Sequence, residues 1–75
     1  MDKYDELLQT LENRLRAGDR FGLRTNLEGE GKFKDFQGKN EIAALREFMS
    51  KAREDGIEAI TVRDEQLEKN VISEF

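Results

Sequence analysis

Two pairs of carboxylates lie close enough in the sequence to act together on a ligand. Glu28 and Glu30 flank a glycine, and Asp64 and Glu65 are adjacent. Oxygen ligands of this kind suit a weakly held divalent cation, but the fixed acidic positions of a calcium-binding EF-hand loop are missing around both pairs. We therefore interpret both pairs as solvated turn charges and predict no metal site.

Other residue types that support catalysis are scarce in this chain. It has no histidine and no cysteine, so the commonest general base, the thiol nucleophile and the usual zinc ligands are all absent. Ser50 adjoins Lys51 within a predicted helix, but adjacent helical residues do not face each other. Ser73 has no histidine to activate it. The sequence therefore predicts a protein that is not an enzyme and needs no cofactor.

Basic residues suggest a different chemistry, which is anion binding. Residues 14–39 carry seven bases and four acids, although the whole chain has a net charge of −4. Gly38 and Lys39 precede a predicted helix, where a phosphate can meet backbone N–H groups. Gly29 to Lys32 lack the spacing of a nucleotide-binding P-loop. The candidate anion-binding or nucleic-acid-binding residues are Arg20, Arg24, Lys32, Lys34 and Lys39.

The elements that must position these residues begin with a helix. Apolar residues recur at spacings of three and four from Tyr4 to Leu15, which is typical of one helical face. Gly18 is a natural stop. Apolar residues then alternate from Phe21 to Leu27, which predicts a half-buried strand with Arg20, Arg24 and Asn26 facing outward.

A hairpin and a second helix follow. Two glycines in residues 28–31 favour a tight turn, and residues 32–36 are predicted to return as a strand with Lys32 and Lys34 outward. Phe33 and Phe36 break strict alternation, so we expect a bulge or the strand end near Asp35. The second helix is predicted from Glu41 to Asp55, with Asn40 as its N-cap and Gly56 as its stop.

The last part of the chain contains one predicted strand and a second segment with two interpretations. Residues 57–62 are β-branched and apolar on both faces, which favours a central strand. Residues 71–75 fit a fourth strand, which we favour, or a helix. The fold class is therefore a small α+β two-layer sandwich, a single domain over residues 1–75. Its order is α-β-β-α-β with a possible final β, and both helices cover one face of a mainly antiparallel sheet of three or four strands.

Interaction with a protein partner is the function that the sequence favours. Two helices on one face leave the other face of the sheet open, where we expect Ala59 or Ile60 to be half exposed, and edge strands invite pairing. The predicted protein interface comprises Glu58, Ile60, Asp64 and Glu65. So small a core also favours a homodimer. Binding of nucleic acid or a nucleotide through the basic residues is the alternative.

Composition and chain length indicate the cellular compartment of the protein. Disulfides are impossible without cysteine, which fits a reducing cytoplasm, and no apolar run approaches the ~20 residues of a membrane span. We expect a cytoplasmic regulator or inhibitor of the kind found among phage and prophage accessory proteins.

Overall fold

The computed structural model describes residues 2–25, 32–65 and 67–75. They form two helices and a four-stranded sheet in the order α-β-β-α-β-β, which confirms the predicted architecture and the fourth strand. The elements are α1 (Lys3–Arg16), β1 (Arg20–Thr25), β2 (Lys34–Gln37), a 3-10 turn (Lys39–Glu41), α2 (Ile42–Glu54), β3 (Ala59–Asp64) and β4 (Lys69–Glu74).

Local sequence signals fix both ends of α1. The Asp2 carboxylate accepts a hydrogen bond of 2.8 Å from the N–H of Asp5, which satisfies one of the free donors of the first turn. This bond also lowers the pKa of Asp2. At the other end Gly18 has a φ of +85°, and the N–H of Asp19 returns to the carbonyl of Arg14.

The start of α2 differs from the prediction. Asn40 does not cap the helix: it lies inside the 3-10 turn, and Glu41, the residue before α2, makes no side-chain cap bond. The turn itself supplies the backbone bonds, because the N–H of Glu41 donates to the carbonyl of Gly38. The predicted stop is confirmed, since Gly56 has a φ of +69° and Ile57 packs back on the helix end.

The sheet has the strand order β2-β1-β3-β4, and all neighbours are antiparallel. Tyr4 of α1 contacts the ring of Phe75, just after β4, and Arg14 reaches Asp64 at the end of β3. Helix α2 lies over β1 and β2, where Phe48 packs on Phe36. The largest fully buried side chains come from both layers: Phe21, Phe36, Leu11, Leu15, Leu23, Leu45, Met49 and Ile60.

The bulge expected near Asp35 is wrong, and the alternative of a strand end there is also wrong, because β2 continues past Asp35 to Gln37. The pairing of β1 with β2 runs without a break from Arg20 opposite Gln37 to Leu23 opposite Lys34. Phe33 directly precedes β2, which begins at Lys34, and its ring lies on the face opposite that of Phe36. Phe36 enters the core, whereas Phe33 lies on the face that the helices leave open. The predicted turn at residues 28–31 lies outside the described residues.

Residues of β3 are more buried than predicted. Ile60 has no exposed surface and Ala59 is 8% exposed, so neither is half exposed. The reason is the position of β3, which the prediction as a central strand identified correctly. It lies between β1 and β4, with Ile60 turned toward the helices.

Candidate interaction surfaces

Charged and aromatic side chains converge on the open face of the sheet. Gly22 of β1 lies directly between Asp35 of β2 and Arg63 of β3 in the strand register. The Arg63 guanidinium donates to the Asp35 carboxylate across this glycine. Arg63 and Arg24 also contact the Phe33 ring, with guanidinium carbons 4.9 and 4.4 Å from its centroid. We refer to these five residues as the open-face cluster.

Two of the cations predicted to bind anions, Arg20 and Arg24, are already engaged by side chains in or beside the open-face cluster. Arg20 lies 3.5 Å from Asp35 and 3.6 Å from Glu65, so it already has two acidic partners. The guanidinium of Arg24 covers an aromatic ring. A phosphate would have to displace these contacts. Arg20 and Arg24 are therefore better suited to holding the side chains of this face in place than to binding an anion.

The remaining predicted cations lie elsewhere. Lys34 does not face outward with Arg20 and Arg24, because it pairs with Leu23 and is two residues from buried Phe36, on the helix side. Its ammonium lies 5.6 Å from the Phe36 ring. Lys32 precedes β2, and Lys39 is exposed in the 3-10 turn. The five predicted residues therefore do not form one surface.

A groove of about 480 Å³ separates α2 from the neighbouring ends of β1 and β2. Its apolar lining includes Leu23, Phe48 and Ile57, and basic and acidic side chains surround it. The charged members are Arg24, Lys32, Lys34, Lys51, Glu47 and Asp55. Three of the five predicted anion-binding residues, Arg24, Lys32 and Lys34, thus meet at one groove.

The predicted protein-interface residues are also dispersed. Ile60 is buried and cannot contact a partner. Asp64 pairs with Arg14 at 3.2 Å, and Glu65 with Arg20 at 3.6 Å. Glu58 is exposed, but it lies at the opposite end of β3 from Asp64, roughly 20 Å away at the usual rise per strand residue.

The sequence analysis missed a different surface, along β4. Large apolar side chains are exposed there: Leu67 (59%), Val71 (41%), Ile72 (66%) and Phe75 (37%). We call these four residues the β4 strip. Strand β4 is at the edge of the sheet, with β3 as its neighbour on one side. The sequence signal for this surface was the pair of consecutive apolar residues at 71 and 72. Adjacent residues of a strand point to opposite faces, so one of the two must lie outside the core.

No protein-family model, curated protein or solved structure matches this chain. Among the described residues, no three acidic side chains converge into a group that could hold a metal ion. Helices α1 and α2 are too short and too polar to cross a membrane, and the described residues contain no helix that could.

Proposed function

We propose that the chain is a small non-catalytic binding protein that acts by contact with a protein partner along β4. The observation that supports this is the β4 strip. Exposed apolar residues that are scattered singly are normal, whereas a contiguous group commonly indicates an interaction site. Val71 and Ile72 lie in β4 on opposite faces of the sheet, and Leu67 and Phe75 lie just before and just after the strand, so exposed apolar side chains flank this edge on both faces.

The backbone of β4 supports the same proposal. An edge strand presents unpaired N–H and C=O groups, and a partner strand can satisfy them while the side chains give specificity. The β3–β4 register is continuous over Ala59–Asp64 and Lys69–Glu74, so the strand is regular along its whole length. We place this binding protein in the cytoplasm, as a regulator or inhibitor of its partner.

Capture of the partner tests the proposal. The tagged chain is used as bait in an extract of its source cells, beside the double variant Val71→Thr/Ile72→Thr. Threonine keeps the β-branched shape and the strand propensity but removes apolar surface. We expect capture of a specific partner to fall at least tenfold in this variant. A Gln37→Thr variant, changed on the opposite edge strand, is the matched control and should bind as the unmodified chain does.

Two results of that experiment would overturn the proposal. One is a specific partner retained undiminished by the Val71→Thr/Ile72→Thr variant. The other is an equal loss in the Gln37→Thr variant, because the β4 strip would then have no special part in binding.

A second candidate function is anion binding in the groove beside α2. The observation that favours it is the meeting of Lys32, Lys34 and Lys51 around an apolar floor, in a volume within the range of ligand sites. An absorbance band near 260 nm in protein purified gently at low salt would identify a bound nucleotide or nucleic acid, because the chain has one tyrosine and no tryptophan. The band should disappear at high salt if phosphate contacts hold the ligand.

Matched variants separate this groove from the open face. Lys34→Gln/Lys51→Gln should abolish the bound 260 nm material, whereas Arg20→Gln should retain it, because Arg20 is already paired with acids. Purified protein without such a band, with only tyrosine and phenylalanine features, would remove stable nucleotide capture from consideration.

A further inference from the structure

The direction of the backbone groups in β4 follows from one hydrogen bond. The N–H of Phe75 donates to the carbonyl of Glu58 at 2.8 Å, which continues the β3–β4 register by one pair. Along an antiparallel strand, alternate residues turn their N–H and C=O groups to the same side. Lys69, Val71 and Ser73 therefore point these groups toward β3. The residues between them, Asn70, Ile72 and Glu74, point theirs to the free edge.

We infer that the partner of this edge is a second copy of the chain, paired antiparallel through β4 about a two-fold axis at Ile72. The two sheets then become one continuous sheet. This inference rests on the proposed function, since it names the partner that the β4 strip binds. It also specifies the register of the two strands, with Ile72 of one copy opposite Ile72 of the other.

The register follows from which residues face the edge. Centring the pair on Ile72 uses all three outward residues, because Asn70 of each copy lies opposite Glu74 of the other. That arrangement makes roughly six inter-chain backbone hydrogen bonds. Centring on Glu74 would oppose two like charges, which destabilises a strand pair. Centring on Asn70 would leave Glu74 without an opposite residue in the other strand.

Side chains in this register are complementary on both faces. Asn70 can donate its amide N–H to the carboxylate of Glu74 from the other copy. On the helix side, Lys69 lies opposite Phe75 of the second copy, within reach of its ring. Strand β4 contains one base and one acid, Lys69 and Glu74, so it has no net charge to repel its copy. A partner strand with a strong charge of either sign would lack this match.

The other edge of the sheet differs in ways that discourage pairing. Strand β2 has only four residues, begins with Lys34 and Asp35, and ends before Gly38, which has a φ of +76°. Short, charged edges are a common protection against edge-to-edge association. Strand β4 has six residues and a large apolar side chain, Ile72, at its centre.

The size of the molecule suits such an interface. A standard stable interface covers about 800 Å² of each partner. That is roughly a sixth of the 5047 Å² surface of this chain, which an edge strand and the flank of its covering helix can supply. Helix α1 provides that flank, because Leu7 and Thr10 face Ser73 and Phe75 across a shallow groove.

A single introduced cysteine tests the register, because the chain has none of its own. In Ile72→Cys the two Cα atoms would lie about 5.5 Å apart across the axis, within the range of a disulfide. In Asn70→Cys they would lie about 14 Å apart. Under mild oxidation at micromolar concentration we expect most of the Ile72→Cys chains, and few of the Asn70→Cys chains, to form a covalent dimer.

Sedimentation equilibrium on the unmodified chain tests association itself. We expect a dimer at tens of micromolar and a dissociation constant raised at least tenfold in Ile72→Lys, which brings two cations together on the axis. A monomer at every concentration, or cross-linking at 70 in preference to 72, would overturn the inference. Loss of a different captured partner in the Val71→Thr/Ile72→Thr variant would still support the proposed function, so the two can fail separately.

Discussion

Arg63 of β3 and Asp35 of β2 form an ion pair across the intervening strand β1, directly over Gly22. All three residues lie in one row of the register. A Cβ atom at position 22 would lie 2.9 Å from the Arg63 guanidinium, 3.0 Å from the Asp35 carboxylate and 3.1 Å from the Cβ of Phe33. Glycine is needed here for space, because other side chains already occupy this part of the surface.

Gly22→Ala should therefore destabilise the fold, although alanine is ordinarily the better residue inside a strand. The Arg63 and Asp35 side chains can move aside, but the Cβ of Phe33 moves only with its backbone. We expect the free energy of unfolding to fall by about 1–2 kcal/mol, as in other overpacked sites. Urea unfolding followed by circular dichroism measures this change.

Asp35→Asn is the control for Gly22→Ala, because it weakens the ion pair without crowding. Both partners are more than a third exposed, so this change should cost less than about 1 kcal/mol. An alanine at 22 that raises the urea midpoint, or that costs no more than Asp35→Asn, would contradict the crowding argument.

Periodicity was sufficient to predict most elements of this fold. Helix faces and strand alternation depend on neighbours a few residues away, so α1, β1, α2 and β3 could be predicted from local pattern. Phe33 illustrates the limit of that approach. Its separation from Phe36 suggested a bulge or a strand end near Asp35, whereas β2 is regular and Phe33 lies just before it, on the open face.

Strand order accounts for what the sequence could not predict. Apolar residues on both faces predicted that residues 57–62 form a central strand, but no local pattern there or in residues 71–75 indicates which strands are neighbours or which edge stays exposed. The order β2-β1-β3-β4 buries Ile60 and leaves Ile72 exposed. The contact of Arg63 with Asp35 likewise joins residues from strands that are not neighbours.

Truncation of Ile60 and truncation of Ile72 should change the stability of the fold by very different amounts. Ile60 has no exposed surface, so Ile60→Ala removes buried methyl groups and leaves a cavity at a cost of about 2–5 kcal/mol. Ile72 is 66% exposed, and Ile72→Ala should change stability by less than about 0.5 kcal/mol when the chain is monomeric. Urea midpoints at low micromolar concentration measure both. Similar losses in the two variants would show that the strand order described above is wrong.

Tyr4 should titrate above an ordinary tyrosine. Burial raises its pKa, and the rings of Tyr4 and Phe75 lie 5.3 Å apart. The folded state favours the neutral phenol, so this contribution to stability is fully present below pH ~10 and is lost as the pH rises through the folded pKa. Absorbance at 295 nm follows the ionisation directly, because Tyr4 is the single tyrosine.

Phe75→Ala provides the comparison for that titration. Removal of the neighbouring ring exposes the phenol, so the pKa of Tyr4 should move back toward its ordinary value. A folded, unmodified chain that titrates as free tyrosine does, or a Phe75→Ala variant with an unchanged curve, would contradict the packing of α1 on the end of β4.

Proline substitutions at adjacent positions of β4 test which backbone groups are free. The N–H of Val71 points toward β3, so Val71→Pro removes a hydrogen bond of the sheet and should cost about 3 kcal/mol. The N–H of Ile72 points to the free edge, where proline is tolerated, so Ile72→Pro should leave most of the monomer's stability intact. Thermal unfolding at low micromolar concentration compares the stability of the two variants. A larger loss in Ile72→Pro than in Val71→Pro would show that the N–H of Ile72 does not point to the free edge.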